Sequence, residues 1–226
     1  MTRATSSSSR RQFLSQVATG AALFTTPGAF ATPAVFAEEL VRTPRQSEGP
    51  FYPDRMPLDT DNDLLVVNDS ITPAVGEVTH LTGRILDSRG EPLRNAVVEI
   101  WEADSTGTYI HTRSGTKGKE DKNFQGFGRF LTGLKGEYYF RTIKPKPYGP
   151  RTAHIHFAVM AKGMKRFTTE CYVKGEPRNR TDNLLNRVRD AQARKSLIVD
   201  FLPLKQSRVG ELQARFDITL GFTPPA

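Results

Sequence analysis

The sequence predicts an all-β domain, a β-sandwich with long loops and one short surface helix. Three observations carry this. From residue 78 onward the chain divides into short apolar runs at residues 78–87, 96–103, 136–143, 153–160, 167–173 and 212–222, separated by turn residues. Several alternate: Leu212, Ala214, Phe216, Ile218 and Leu220 are apolar while Gln213, Arg215, Asp217 and Thr219 are polar, the period of a half-buried strand. Helical periodicity is confined to one segment after Asp182. At 226 residues the chain suits a single domain able to bury a core without staples. Its one cysteine, Cys171, excludes an intrachain disulfide framework and any multi-cysteine metal site, and is read as a buried small hydrophobe.

Taken in order, residues 1–37 read as a twin-arginine export signal. Arg10-Arg11-Gln12-Phe13-Leu14 precedes a modest apolar run, and small residues suit cleavage after Ala31 or, preferably, after Ala37. The alternative is an uncleaved amphipathic helix or anchor. Export to the periplasm or beyond the cell is expected, with no membrane-spanning segment in the mature chain. Cleavage removes Arg3, Arg10 and Arg11 and no acid, so the formal charge falls from +8 to +5. The remaining basic residues lack the aromatic interleaving or motif that nucleic-acid binding requires, so no nucleic-acid partner is expected.

Residues 38–77 hold five prolines, an acidic stretch at 59–63 and no helical period, and are expected to form an extended arm. Within it Ser47-Glu48-Gly49-Pro50-Phe51-Tyr52 places two aromatics beside a turn, either lining a site or pinning the arm. Residues 78–226 form the predicted sandwich. Asp87-Ser88-Arg89-Gly90-Glu91-Pro92 and Leu134-Lys135-Gly136 read as hairpin turns. Asp182 is the expected cap of the surface helix, with Leu184, Leu185, Val188 and Ala191 on one stripe and Arg194 and Lys195 near its C-terminal end.

The chemistry centres on residues 148–157, Tyr-Gly-Pro-Arg-Thr-Ala-His-Ile-His-Phe. On a strand, His154 and His156 share a face while Ile155, Phe157 and Val159 point the other way. Tyr148 sits on a loop held by Pro145, Pro147, Gly149 and Pro150, from which its phenol can fold back toward the imidazoles. The plain alternative is two structural histidines with water or carbonyl partners. A metal site needs a further donor, and the candidate is Tyr109, where the strand ending near Trp101 gives way to a loop that Asp104 could cap. Two phenolates and two imidazoles suit Fe(III) better than Zn(II), because a strongly charged ion is needed to hold phenols ionised far below a pKa of about 10.

These residues resemble the intradiol ring-cleaving dioxygenases, the family that includes the protocatechuate enzymes. The likeness runs from about Thr79 to Val173. It includes Gly83-x-Ile85-x-Asp87-x-x-Gly90-x-Pro92-Leu93, Glu99-Ile100-Trp101, Gly128-Arg129, Gly136-x-Tyr138-x-Phe140-Arg141-Thr142-Ile143-Lys144-Pro145, and Tyr148 followed by Arg151-x-Ala153-His154-Ile155-His156-Phe157. The first and fourth stretches recur in transthyretin-like sandwiches; the tyrosine and His-x-His pattern gives the likeness its specificity. The resemblance implies ferric iron held by Tyr109, Tyr148, His154 and His156. It implies a small catechol-type diol and O2 as substrates, and cleavage between the two hydroxyls to a muconate-type diacid. It also implies a catalytic role for Arg151, whose guanidinium would lie beside the bound catecholate.

Two departures stand out. Glu170 occupies a position where the protocatechuate enzymes carry glutamine; it is a second catalytic candidate if it faces the site, and a solvent residue if not. The 148–151 loop is short and lacks a tryptophan-containing insertion, which suggests an open pocket. The arm is too short for the helical dimerisation domain of the catechol enzymes, so the likeness is to a domain-minimal branch; a homo-oligomer stays open. His80 and His111 are not needed as ligands. The competing readings are a catalytically silent transthyretin-like binding module and a cupin-like metalloenzyme, the latter disfavoured because no histidine follows His156.

Overall fold

The structure, a computed structural model, describes residues 40–68, 71–115 and 118–224. The expected export signal lies outside the described residues. Among them, ten strands form two sheets, each five-stranded. In the first, β1 (Val78–Leu86) pairs antiparallel with β4 (Glu137–Ile143) on one side. On its other side β1 runs parallel to β9 (Leu212–Arg215) and β10 (Ile218–Thr219), and β8 (Phe201–Pro203) pairs with β9. The second has the order β3 (Phe127–Leu131), β2 (Val97–Trp101), β5 (His154–Met160), β6 (Phe167–Val173), β7 (Ile198–Val199). The all-β sandwich is therefore as expected.

The core lies between the sheets. Leu81, Ile85, Tyr138, Phe140 and Phe216 meet Val98, Ile100, Ile155, Phe157 and Val159, all buried. Burying one such side chain stabilises the fold by roughly 1.5–3 kcal/mol. Alternation then forces Trp101, His154, His156, Ala158 and Glu170 onto the opposite face of the second sheet.

The predicted 212–222 strand alternates as expected but is interrupted at Phe216 and Asp217, with its register kept: Thr82 faces Arg215 and Ile85 faces Ile218. At the interruption the Tyr138 hydroxyl donates to the Phe216 carbonyl, and Asp217 Oδ1 accepts from Arg84 N at 2.8 Å. Gly83 makes room, since a Cβ there would meet the Phe216 oxygen at 2.0 Å and Tyr138 Oη at 2.6 Å.

Both predicted turns form, yet their roles differ from the expectation. Residues 87–92 close a small loop with Leu86 bridged to Pro92, after which the chain crosses to the second sheet. Leu134-Lys135-Gly136 joins β3 to β4, which belong to different sheets, so it is a crossover turn and not a hairpin. The helical excursion is divided: a 3-10 turn (Pro177–Arg180), α1 (Asn183–Arg187) and α2 (Ala191–Ser196), with residues 188–190 between the two helices. Asp182 caps α1, accepting from Leu184 N and Leu185 N, and Asp190 caps α2. Leu185 is buried on the expected stripe, whereas Ala191 is exposed.

Over its described part the arm has turns and bends but no helix or strand, and its backbone satisfies free strand edges. Gln46 N donates to Thr168 O of β6, Arg129 N of β3 to Thr60 O, and Leu64 N to Arg141 O of β4. Covering edges in this way removes pairing sites that would otherwise template association. Among the described residues no helix is long and apolar enough to cross a membrane.

Candidate metal centre

Cross-strand register places the site residues in a row on the outer face of the second sheet. Phe127, Trp101, His156 and Glu170 are successive partners across β3, β2, β5 and β6, and His154 faces Tyr172 in the next row. Tyr109 and Tyr148 arrive from loops. Asp104 fixes the first loop: its Oδ1 accepts from Thr106 N and Thr108 N at 2.8 and 3.0 Å, and its Oδ2 from Asp121 N at 2.7 Å. Tyr109 N donates to Ser114 Oγ at 2.9 Å. Tyr148 is held by a turn in which Arg151 N donates back to its carbonyl at 2.8 Å. The loops meet at Gly107, where a Cβ would lie 3.0 Å from Tyr148 Cβ.

The four donors come together. His154 Nε2 and His156 Nε2 are 3.2 Å apart, and Tyr109 Oη is 3.4 Å from His154 Nε2. The Tyr109 and Tyr148 rings meet edge-on with centroids 5.3 Å apart, and Tyr148 lies 5.5 Å from the His154 ring. His154 Nδ1 is 2.6 Å from the Thr152 carbonyl, which accepts only, so the proton of the neutral ring belongs on Nδ1. His156 Nδ1 faces Glu170 Oε1 at 3.4 Å, an acceptor again. Both Nε2 atoms therefore turn lone pairs toward each other. A cation held by both nitrogens would remove the repulsion.

Burial keeps these rings neutral in the absence of a cation. Desolvation depresses His154, opposed by Glu170, and depresses His156 further, aided by His154 and Arg151. Desolvation pushes the Tyr109 phenol well up, reinforced by Tyr148 and Glu170; it also raises Tyr148, against the pull of Tyr109 and Arg151. Tyr109 is buried and Tyr148 partly exposed.

Arg151 and Glu170 both belong to this environment. Arg151 Nη2 donates to Glu170 Oε2 at 2.5 Å and Nε to Asp182 Oδ2 at 2.9 Å, with both carboxylates fully buried. The Tyr172 hydroxyl also donates to Glu170 Oε2 and accepts from Gln46 Nε2 at 3.0 Å. The 47–52 segment both lines the site and pins the arm. Phe51 stacks on Tyr109 with centroids 5.3 Å apart, and Gly49, at φ +74°, lies against His156, where a Cβ would sit 3.2 Å from Cε1. Tyr52 packs edge-on against Trp101, its hydroxyl donating to buried Glu99 at 3.0 Å. A cavity of about 590 Å³ opens beside Tyr148, lined by Phe51, Gly107, Pro147, Pro150 and Arg178.

His80 and His111 stand apart, the first against Tyr139 and Glu211, the second beside Arg113 N and Asp54. Sequence reading missed three supports. Asp182 was explained by its cap, which hides its second use as the partner of Arg151. Trp101 read as core, yet its ring lies parallel to His156 with centroids 4.8 Å apart and a 4° interplanar angle. Tyr172 was legible in principle, since Thr168, Glu170 and Tyr172 share one strand face at i, i+2 spacing.

A family model described as Dioxygenase matches residues 47–221. The chain is 35% identical over 186 residues to the protocatechuate 3,4-dioxygenase beta chain of Burkholderia cepacia, covering 78% of each protein. It is 31% identical to catechol 1,2-dioxygenase 2 of Acinetobacter lwoffii, covering 68% of this chain and 62% of that one, so it spans about three-fifths of that relative. Among solved structures it is similar to the dioxygenase domain of a dioxygenase and carbohydrate-binding protein fusion from Streptomyces sp. SirexAA-E. The TM-score is 0.61 at 30% identity, over 80% of this chain and 99% of the other.

Proposed function

The chain belongs to the dioxygenase family whose model spans residues 47–221, and from that we propose that it is an intradiol ring-cleaving dioxygenase acting on a catechol-type diol. The carrying observation is the pair of facing Nε2 lone pairs, 3.2 Å apart and joined by two phenols, a donor set that fits ferric iron. Tyr109, Tyr148, His154 and His156 would hold it. What ferric iron supplies when bound is Lewis acidity and a template for the two hydroxyls of the substrate.

The protein's own groups do the rest. Tyr148, partly exposed beside the cavity, is placed to accept a proton from an entering diol hydroxyl once bound iron holds it as phenolate, while Tyr109 is shut in by Phe51. Arg151 is a fixed cation whose charge bears on both tyrosines and both histidines, so it stabilises negative charge as it moves onto the ring. Phe51, Tyr52 and Trp101 keep water from one side of the site, where a reactive ring product would otherwise be intercepted. The carbon–carbon bond between the hydroxyl-bearing carbons breaks, and each takes one oxygen atom from O2.

Oxygen uptake with a panel of catechol, protocatechuate, hydroxyquinol and chlorinated or alkylated catechols tests this. One O2 consumed per diol, with both labelled atoms in a muconate-type diacid, is expected. A semialdehyde product, from cleavage outside the two hydroxyls, would overturn it. We also propose that residues 1–37 direct export of the folded protein, a reading supported by the adjacent arginines; recovery of a full-length chain from the cytoplasmic fraction alone would overturn it.

A further inference from the structure

Glu170 is fully buried, and its two oxygens do different things. Oε2 is saturated by Arg151 Nη2 and the Tyr172 hydroxyl. Oε1 has no hydrogen-bond partner among the described residues, nor has His156 Nδ1, and the two face each other at 3.4 Å. The contact is built into the fold, because His156 and Glu170 are Cα partners across β5 and β6. The orientation of the ring is set independently by Trp101, stacked parallel to it. His154 differs: its Nδ1–H is given to the uncharged Thr152 carbonyl at 2.6 Å.

We propose that Glu170 is a positioning residue that polarises His156 through its Nδ1–H, making it the stronger donor of the two imidazoles and placing a fixed negative charge behind the metal centre. The cluster of His154, His156 and Glu170, whose donor atoms lie within 4.8 Å of one another, invites another reading, with all three as direct ligands. The geometry argues against that, because Glu170 lies on the Nδ1 side of His156 and the other donors on the Nε2 side. At 3.4 Å the contact is longer than an ordinary N–H···O bond, so it acts as a charge on a dipole. A carboxylate behind a ligating imidazole raises its basicity and tunes the ion in front of it. Negative charge there favours the ferric over the ferrous state, and stronger donation from His156 raises the energy of the tyrosinate-to-iron transition.

This inference rests on the iron reading of the quartet. Glu170→Gln keeps the shape and removes the charge, whereas Glu170→Asp keeps the charge one methylene further back. The glutamine variant is expected to show its visible band at longer wavelength and a higher Fe(III)/Fe(II) midpoint potential, with the aspartate variant nearer the wild type in both. A glutamine variant with the wild-type band and potential would overturn the proposal, as would an aspartate variant that tracks glutamine. In wild-type protein loaded with Ga(III), a diamagnetic ferric mimic, nitrogen–proton correlation spectra are expected to show a proton on His156 Nδ1; a bare Nδ1 would overturn the proposal even if the variants fail to fold. Failure of the wild-type protein to show any tyrosinate-to-iron band would instead remove the iron reading itself.

Discussion

Arg151 reaches two buried carboxylates with two different nitrogens, Nε to Asp182 and Nη2 to Glu170. A lysine has a single nitrogen and no planar fork, so it cannot reproduce both contacts at their two positions. Arg151→Lys is therefore expected to keep bound iron and lose roughly 10²-fold or more in kcat, the scale of removing one preorganised electrostatic group; oxygen-uptake kinetics beside an iron assay check this. At this scale most of the site was legible. Tyr148, Arg151, His154 and His156 fall within nine residues, and Tyr109 is the candidate further donor, a choice that the family resemblance supplies. Trp101 and Asp182 were not legible, because each has a sufficient local explanation, as core and as cap. Their second roles depend on residues brought close only by pairing of β2 with β5 and by the return of the chain after β6.

Asp182 ties an element to the site. Its Oδ1 caps α1, and its Oδ2 takes Thr152 N at 3.0 Å and Arg151 Nε. Burial alone would raise its pKa, yet the hydrogen bonds from Leu185 N, Thr152 N and Arg151 outweigh burial and hold it below the ordinary value. Its contribution to stability is thus fully present above the unfolded pKa of about 3.9 and is lost as pH falls through the lower folded value. Asp182→Asn can still cap and should lose this acid-dependent part. Asp182→Ala should in addition lose the cap, costing about 1 kcal/mol more; urea unfolding at pH 3 and pH 7 separates the two. Six strand runs were legible from apolar patterning, but β3 at Phe127–Leu131, whose Gly128 and Arg129 interrupt any apolar run, was not, and neither were strand partners. The turn at residues 134–136 reads as a hairpin because turn chemistry reports a reversal and is silent on whether the next strand joins the same sheet. Likewise β7 and β8, of two and three residues, exist because β6 and β9 offer them edges.

Across the whole molecule, a charged network holds the arm against one side of the site. Glu99, buried, accepts from Arg129 Nη2 at 2.6 Å and Tyr52 Oη at 3.0 Å and pairs with Arg166 at 3.2 Å, while Arg166 lies 4.2 Å over the Tyr52 ring. Glu99→Ala leaves two partly exposed guanidiniums and a phenol without their shared acceptor and should cost about 2 kcal/mol. It should also free residues 47–52, so that limited proteolysis cuts the arm and iron is lost faster to a chelator. That the described part of the arm would form no helix was legible from its prolines. That it would cover three strand edges and lay Phe51 against Tyr109 was not, since edges exist only once the sheets are assembled. The central claim, that two tyrosines and two histidines form one ferric centre open to a diol, is tested most directly by the visible absorption spectrum of the purified protein before and after anaerobic addition of catechol. A broad band that moves to longer wavelength with catechol, and is lost in Tyr109→Phe, is the expected result; a protein that stays colourless after reconstitution with iron would contradict it.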